Sequence, residues 1–149
     1  MVFPWYLLRM RAIHWTLLAF AVVGSAFVVL AAMSTHSGSP LTRTFGAGLM
    51  LFATVWIVIA RYQLGTAFSI TPQARQLVTT GLYARVRNPI YVASPIYVFG
   101  LAVLMARWRL LLLLIVIVPI QIMRARREEA VLRAAFGDKY DRYRAQTWF

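Results

Sequence analysis

Four apolar runs of near membrane length, joined by short polar or basic connections, constrain this chain more than any other feature. A run of about 20 apolar residues crosses hydrocarbon as a helix, because only a helix satisfies its own backbone groups where there is no water. The runs extend from Ala12 to Met33, from about Phe45 to Ala60, from Pro89 to Ala106 and from Leu110 to Met123. At about 1.5 Å of rise per residue the last two are short for a full crossing, so tilt or local bilayer thinning is expected. Arg9 and Arg11 ahead of the first run resemble the start of a secretory signal. A signal core is about 7–15 residues, and this run is longer, so it is read as an anchor. The expected fold is an all-α integral membrane protein of about four transmembrane helices. It forms a single membrane domain over residues 1–149, with a cytoplasmic connection at 61–88 and a cytoplasmic helical tail at 124–149.

The connections sharpen that expectation. Ser37, Gly38, Ser39 and Pro40 predict a loop over Ser34–Thr44, since glycine frees the backbone and proline lacks a donor. Arg107, Trp108 and Arg109 form too short a link for anything but a tight hairpin between the last two spans. Pro95 and Pro119 lie inside those spans and can kink them where neighbours satisfy the freed carbonyls. Trp56 and Tyr62 suit the membrane interface. Of the sixteen basic residues, all but Arg43, Arg107 and Arg109 fall on the side shared by the amino terminus, the long connection and the tail. The positive-inside bias therefore predicts that both termini are cytoplasmic, in the cell's inner (plasma) membrane.

The formal charge of +12 on a chain that is 61% apolar raises the question of nucleic acid, because clustered Arg neutralises phosphates. Here the Arg residues flank hydrophobic spans, so membrane lipid headgroups are the expected partners and nucleic acid is not. The absence of cysteine excludes disulfides, thiolate catalysis and Cys-ligated metals. His14 in the first span and His36 in a loop have no companion at a ligand spacing, so no metal site is expected. A small transporter would need a polar pathway, and His14, Thr16, Ser25, Thr54 and Ser94 form no evident relay.

Two segments can carry chemistry. In the first, Thr79, Thr80 and Gly81 lead into Tyr83, Arg85, Arg87, Asn88, Pro89 and Tyr91. Asn88 and Pro89 predict a helix start, with the Asn side chain accepting an orphan amide and proline losing no donor at the first helical position. Such a terminus beside Arg87 favours a carboxylate or phosphate; the alternative is a capped membrane helix whose arginines reach lipid headgroups. The second segment, Arg124–Tyr143, predicts a polar extension of the fourth helix, a left-handed cap at Gly137 and a new helix capped by Asp138. Arg124 with Glu128, and Glu129 with Arg133, share helical faces. Val131, Leu132, Ala135 and Phe136 offer an apolar face, while Tyr140 and Tyr143 are either interfacial anchors or pocket walls. Only four acidic residues exist, and two of them, Glu128 and Glu129, adjoin at the bundle mouth, where a carboxylate can bind an ammonium or take a proton.

Together the segments resemble the integral membrane methyltransferases related to isoprenylcysteine carboxyl methyltransferase and the phospholipid N-methyltransferases. The resemblance rests on Gly81-Leu82-Tyr83 followed by Arg87-Asn88-Pro89-Ile90-Tyr91, and on Glu128-Glu129, Leu132, Phe136-Gly137, Tyr140 and Tyr143. Leu64, Gly65, Phe68, Ser69 and the run Leu77–Gly81 extend it over about the last ninety residues. It implies S-adenosylmethionine as cofactor on the cytoplasmic side, and a lipidic or small apolar acceptor (an isoprenylcysteine-like carboxylate, a phospholipid amine or a thiol) entering from the membrane. Carried over, Tyr83, Arg87, Asn88, Pro89 and Tyr91 bind the cofactor, with Glu129 near its charged end, while Arg124 and Glu128 are the catalytic pair. Asn88 stands where the family usually has His, which leaves hydrogen bonding as its role. The alternative expectation is a non-catalytic membrane interaction or assembly protein on the same scaffold.

Overall fold

In a computed structural model of the protein, residues 5–34, 38–64 and 77–149 are described, with the side chains of the first helix described at Thr16, Ala19 and 21–34. The expectations placed on the His14 side chain and on His36, Gly65, Phe68 and Ser69 fall outside what is described. Among the described residues five α-helices follow in order: α1 (Trp5–Ser34), α2 (Pro40–Leu64), α3 (Pro89–Leu104), α4 (Leu112–Phe136) and α5 (Asp138–Gln146). Single 3-10 turns precede α3, at Gly81–Ala84, and α4, at Trp108–Leu111. Among the described residues the only extended pairing is one parallel bridge between Val86 and Trp148.

The helix starts correct two sequence expectations. The loop expected over Ser34–Thr44 ends at Ser39, because Pro40 opens α2 instead of breaking it. Ser39 supplies the cap: its hydroxyl accepts the Thr42 amide at 3.2 Å and its carbonyl accepts the Thr42 hydroxyl at 2.8 Å. A proline at the first helical position loses no bond. Helix α5 begins at Asp138 with Gly137, not Asp138, as its cap; the Gly137 carbonyl accepts the amides of Tyr140 and Asp141. Gly137 takes a positive φ of 48° with ψ −127°, so it turns the chain outside the left-handed helical basin expected of it.

Among the described residues two helical runs, Pro40–Leu64 and Trp108–Phe136, are long and apolar enough to cross a membrane. In the second, 6% of the apolar window is buried, and Leu112, Ile115, Val116 and Ile120 lie exposed. A soluble core helix would be covered, so this surface suits hydrocarbon as its surroundings. The shorter apolar helices are Ala21–Ser34 and α3. A core of Ala32, Ala47, Met50 and Leu104 joins α1, α2 and α3, with Val28, Val29, Tyr97 and Leu101 packed around it. Helices α2 and α3 approach closely at Gly46 and Gly100, where a Cβ on either would meet backbone of the other.

The α3–α4 hairpin expected from Arg107–Arg109 is present. It turns through Ala106, whose φ is +51°, while the Arg107 amide reaches back to the Ala102 carbonyl at 2.9 Å. That bond marks a Schellman closure, usually made with glycine. Gly38 lies against Ala106, so the α1–α2 and α3–α4 turns share one end of the bundle. The segments singled out for chemistry meet at the other end. Within the bundle, Ser25 lies 3.0 Å from the Tyr97 hydroxyl and accepts from Thr54 at 3.4 Å. Ser25 and Thr54, two of the polar residues that showed no relay in the sequence, thus bond directly, and Ser25 links α1 to Thr54 of α2 and Tyr97 of α3.

Candidate functional site

The connection into α3 is held from α2. Gly81 has a φ of +63°, which side chains rarely adopt, and a Cβ there would push away the end of the Gln63 side chain. The Gln63 carbonyl oxygen accepts the Leu82 amide at 2.7 Å. This fixes the 3-10 turn that buries Tyr83. Gln63 carried no signal in the sequence, because its partner is nineteen residues away.

From Tyr83 the chain meets the tail. The Tyr143 hydroxyl donates to the Tyr83 carbonyl at 2.7 Å, and Tyr140 and Tyr143 are 1% and 8% exposed. Of the two options for these tyrosines, interfacial anchoring is therefore overturned: they are interior groups, packed with ring centroids 6.1 Å apart. Burial pushes the Tyr143 phenol up to about 12, with the Tyr140 phenol adding to the effect. Its protonated form is the stable one in the fold, so this contribution is intact below about pH 10 and is lost as pH rises through 12. Tyr143→Phe should cost about 1–3 kcal/mol in unfolding experiments, since it orphans the buried Tyr83 carbonyl. A loss under about 0.5 kcal/mol would mean that this bond contributes little.

Arg87 is the hub of the next layer. Its Nε donates to the Glu129 carboxylate at 3.0 Å, and its Nη1 donates to the carbonyls of Thr147 at 2.9 Å and Arg144 at 3.3 Å. The two side chains are 14% and 21% exposed. Glu129 therefore pairs across the site with Arg87, not along its helix with Arg133, which pairs with Asp141 at the surface at 3.1 Å. Residues 148 and 149 run beside 85–88: the Arg87 amide donates to the Trp148 carbonyl, the Trp148 amide to the Arg85 carbonyl, and the Asn88 amide to the Phe149 carbonyl.

Asn88 caps α3 as expected, but with its main chain: its carbonyl accepts the Tyr91 amide at 3.0 Å and the Val92 amide at 3.2 Å, and its side chain makes no capping bond. The Asn88 Nδ2 is buried with no partner among the described residues, as is the Tyr140 hydroxyl. Pro89 is fully buried behind them. One turn on, the Tyr91 hydroxyl donates to Glu128 at 2.5 Å, and the Arg124 guanidinium lies 5.9 Å from the centre of the Tyr91 ring. Burial raises the Glu128 carboxyl above its ordinary value, and the Tyr91 bond and the Arg124 charge oppose that rise. The expected site residues therefore form two adjoining clusters. Arg124, Glu128 and Tyr91 make one, and Arg87, Glu129 and Asn88 the other, with Tyr83 packed behind through the tail.

A carboxylate held by a phenol beside an arginine can take a proton or steer a charged group. The sequence model of the phospholipid methyltransferase family matches residues 41–139, which include both motif segments up to Gly137. The chain belongs to the phospholipid methyltransferase family. Among curated proteins, a protein-S-isoprenylcysteine O-methyltransferase from Schizosaccharomyces pombe is 36% identical over 91 residues, covering 57% of this chain and 39% of that protein. The chain thus spans about two fifths of the length of this relative. The matched region contains Tyr83, Arg87, Asn88, Tyr91, Arg124, Glu128 and Glu129, and the tail that packs on them, from Tyr140 onward, lies beyond it.

Proposed function

We propose that this phospholipid methyltransferase family member transfers a methyl group from S-adenosylmethionine to a lipidic or small apolar acceptor at the cytoplasmic face of a membrane. In this reading four spans cross the bilayer, with the 61–88 connection, the 124–149 tail and both termini on the cytoplasmic side. The observation that carries it is the Tyr91–Glu128 bond beside Arg124, formed between the two segments that the family match unites.

The residues suit the cofactor. It is a cation at sulfur and amine and an anion at its carboxylate, and the site offers both kinds of partner. Asn88 Nδ2 and the Tyr140 hydroxyl are buried polar atoms that a polar ligand would satisfy, and Glu129 faces Tyr140 electrostatically. Tyr83, Arg87, Asn88, Pro89, Tyr91 and Glu129 would hold the cofactor, Arg87 acting by fixing the Glu129 carboxylate. The chemistry it would supply when bound is an electrophilic methyl on a sulfonium, whose sulfur would keep the C–S bonding pair and depart as a neutral thioether.

The chain's own residues then have little covalent work to do. Positioning donor and acceptor in line accounts for much of such a rate. Arg124 orients an acceptor carboxylate by a two-point contact. For an amine or thiol acceptor, Glu128 takes the proton that the acceptor loses, and Tyr91 holds Glu128 in place. The test is saturable binding of S-adenosylmethionine to the purified chain in lipid, weakened about tenfold or more by Tyr83→Ala or Glu129→Ala. No binding across several lipid compositions would instead favour a non-catalytic role on the same scaffold.

A further inference from the structure

The aliphatic run of α4 contains a single amide, Gln121, and its carbonyl oxygen is buried with no donor among the described residues. A buried polar atom without a partner costs about 1–3 kcal/mol and is uncommon in native folds, most of all at membrane depth. Its position gives the atom a use. Gln121 lies seven residues before Glu128 and three before Arg124. At roughly 100° and 1.5 Å per residue it is within about 20° of Glu128 on the helix surface and about 4.5 Å along the axis from Arg124. Ala125, between them, is buried, and Glu128 bonds to Tyr91 of α3, so this face turns toward the hairpin partner.

Helix α3 has little to offer in return. Pro95, one turn beyond Tyr91, has no N–H, and the Ser94 hydroxyl already donates to the Ile90 carbonyl at 2.8 Å. Along this part of the hairpin no described residue of α3 supplies that donor, and a ligand in the site can.

We propose that Gln121 is a specificity-determining residue. Its carbonyl oxygen accepts a hydrogen bond from an N–H or O–H on the apolar side of an anionic amphiphile whose charged group lies at Arg124. This rests on the methyltransferase reading for the use of the site. The spacing selects molecules with a donor one short link from the charge, such as N-acyl amino acids, over those that carry only esters there.

The experiment measures equilibrium binding of two probes, N-oleoylglycine and O-oleoylglycolate, to the full chain in nanodiscs. They share charge and chain length and differ in one N–H replaced by oxygen. The wild-type chain should bind the amide about tenfold more tightly. Gln121→Met should bring the amide down to the level of the ester without changing S-adenosylmethionine affinity. Gln121→Leu repeats the test with a different shape, and neither variant should lower the unfolding midpoint, since each removes an unsatisfied amide. Equal binding of the probes by the wild type, binding of neither, or a preference that survives both substitutions would overturn the proposal. No turnover is needed, so a chain that transfers no methyl group would refute the proposed activity while the amide preference remained measurable.

Discussion

Glu128→Gln is expected to lower methyl transfer by about a hundredfold or more, the range for losing a positioned general base, while cofactor affinity stays near wild type. Glu128 meets the proposed cofactor residues through Tyr91, and the amide oxygen of Gln can still accept the Tyr91 hydroxyl, so cofactor binding should change little. The pH dependence gives a finer check. Burial raises the Glu128 carboxyl, whereas the Tyr91 bond and the Arg124 charge both favour the ionised form. Activity that needs the carboxylate rises with pH as Glu128 ionises, and its acid limb lies above the ordinary glutamate range. Tyr91→Phe removes one of the two opposing influences, so the limb should move to higher pH. A limb that stays in place or moves down would detach Tyr91 from Glu128. Should Glu128→Gln keep its activity while Arg124→Met loses it, the acceptor is a carboxylate that needs orientation and no base.

Which parts of this arrangement were legible beforehand follows from how far apart the interacting residues lie. The helices announce themselves as apolar runs, and the hairpin as a three-residue link, because both are local. Charge asymmetry puts the segments of Tyr91 and Glu128 on one face and the resemblance puts them in one site, but no local signal pairs two residues thirty-seven apart. Glu129 illustrates the limit: Arg133 sits four residues on and is the natural local partner, yet Arg87, forty-two residues earlier, takes the carboxylate. The half-buried position, with two main-chain carbonyls completing the arginine, outweighs a solvated pair worth a few tenths of a kcal/mol.

The tail shows the same limit. Tyrosines near a membrane helix read equally well as interfacial anchors, and only the folding back of α5 onto the 83–88 segment makes Tyr140 and Tyr143 interior. The strand contact of Trp148 with Val86 leaves no periodic trace, because it is a single bridge. Ala106 at positive φ could not be foreseen from a residue that rarely adopts it.

Gly46→Ala should be the most damaging single methyl group that can be added to the described bundle. A Cβ at Gly46 would lie 2.3 Å from the Leu104 amide nitrogen, 2.7 Å from the Leu104 Cα and 2.8 Å from the Gly100 carbonyl oxygen. All three are backbone atoms of α3, so no side-chain rotation relieves the clash and the helices must separate. Overpacking typically costs about 1–3 kcal/mol, and a contact against backbone belongs at or above the top of that range. The gain of up to about 1 kcal/mol in helix propensity from Gly to Ala offsets only part of it. Gly48, two residues along α2, has nothing within 4 Å of its would-be Cβ. Gly48→Ala should therefore be neutral or stabilising by the same propensity gain, which makes it the matched control. Because α3 carries Asn88 and Tyr91 at its start, separating it from α2 should also weaken cofactor binding in proportion to the loss of stability. Thermal unfolding of both variants in one detergent decides the matter: equal midpoints would show that the close approach of α2 and α3 is not what holds the two helices together.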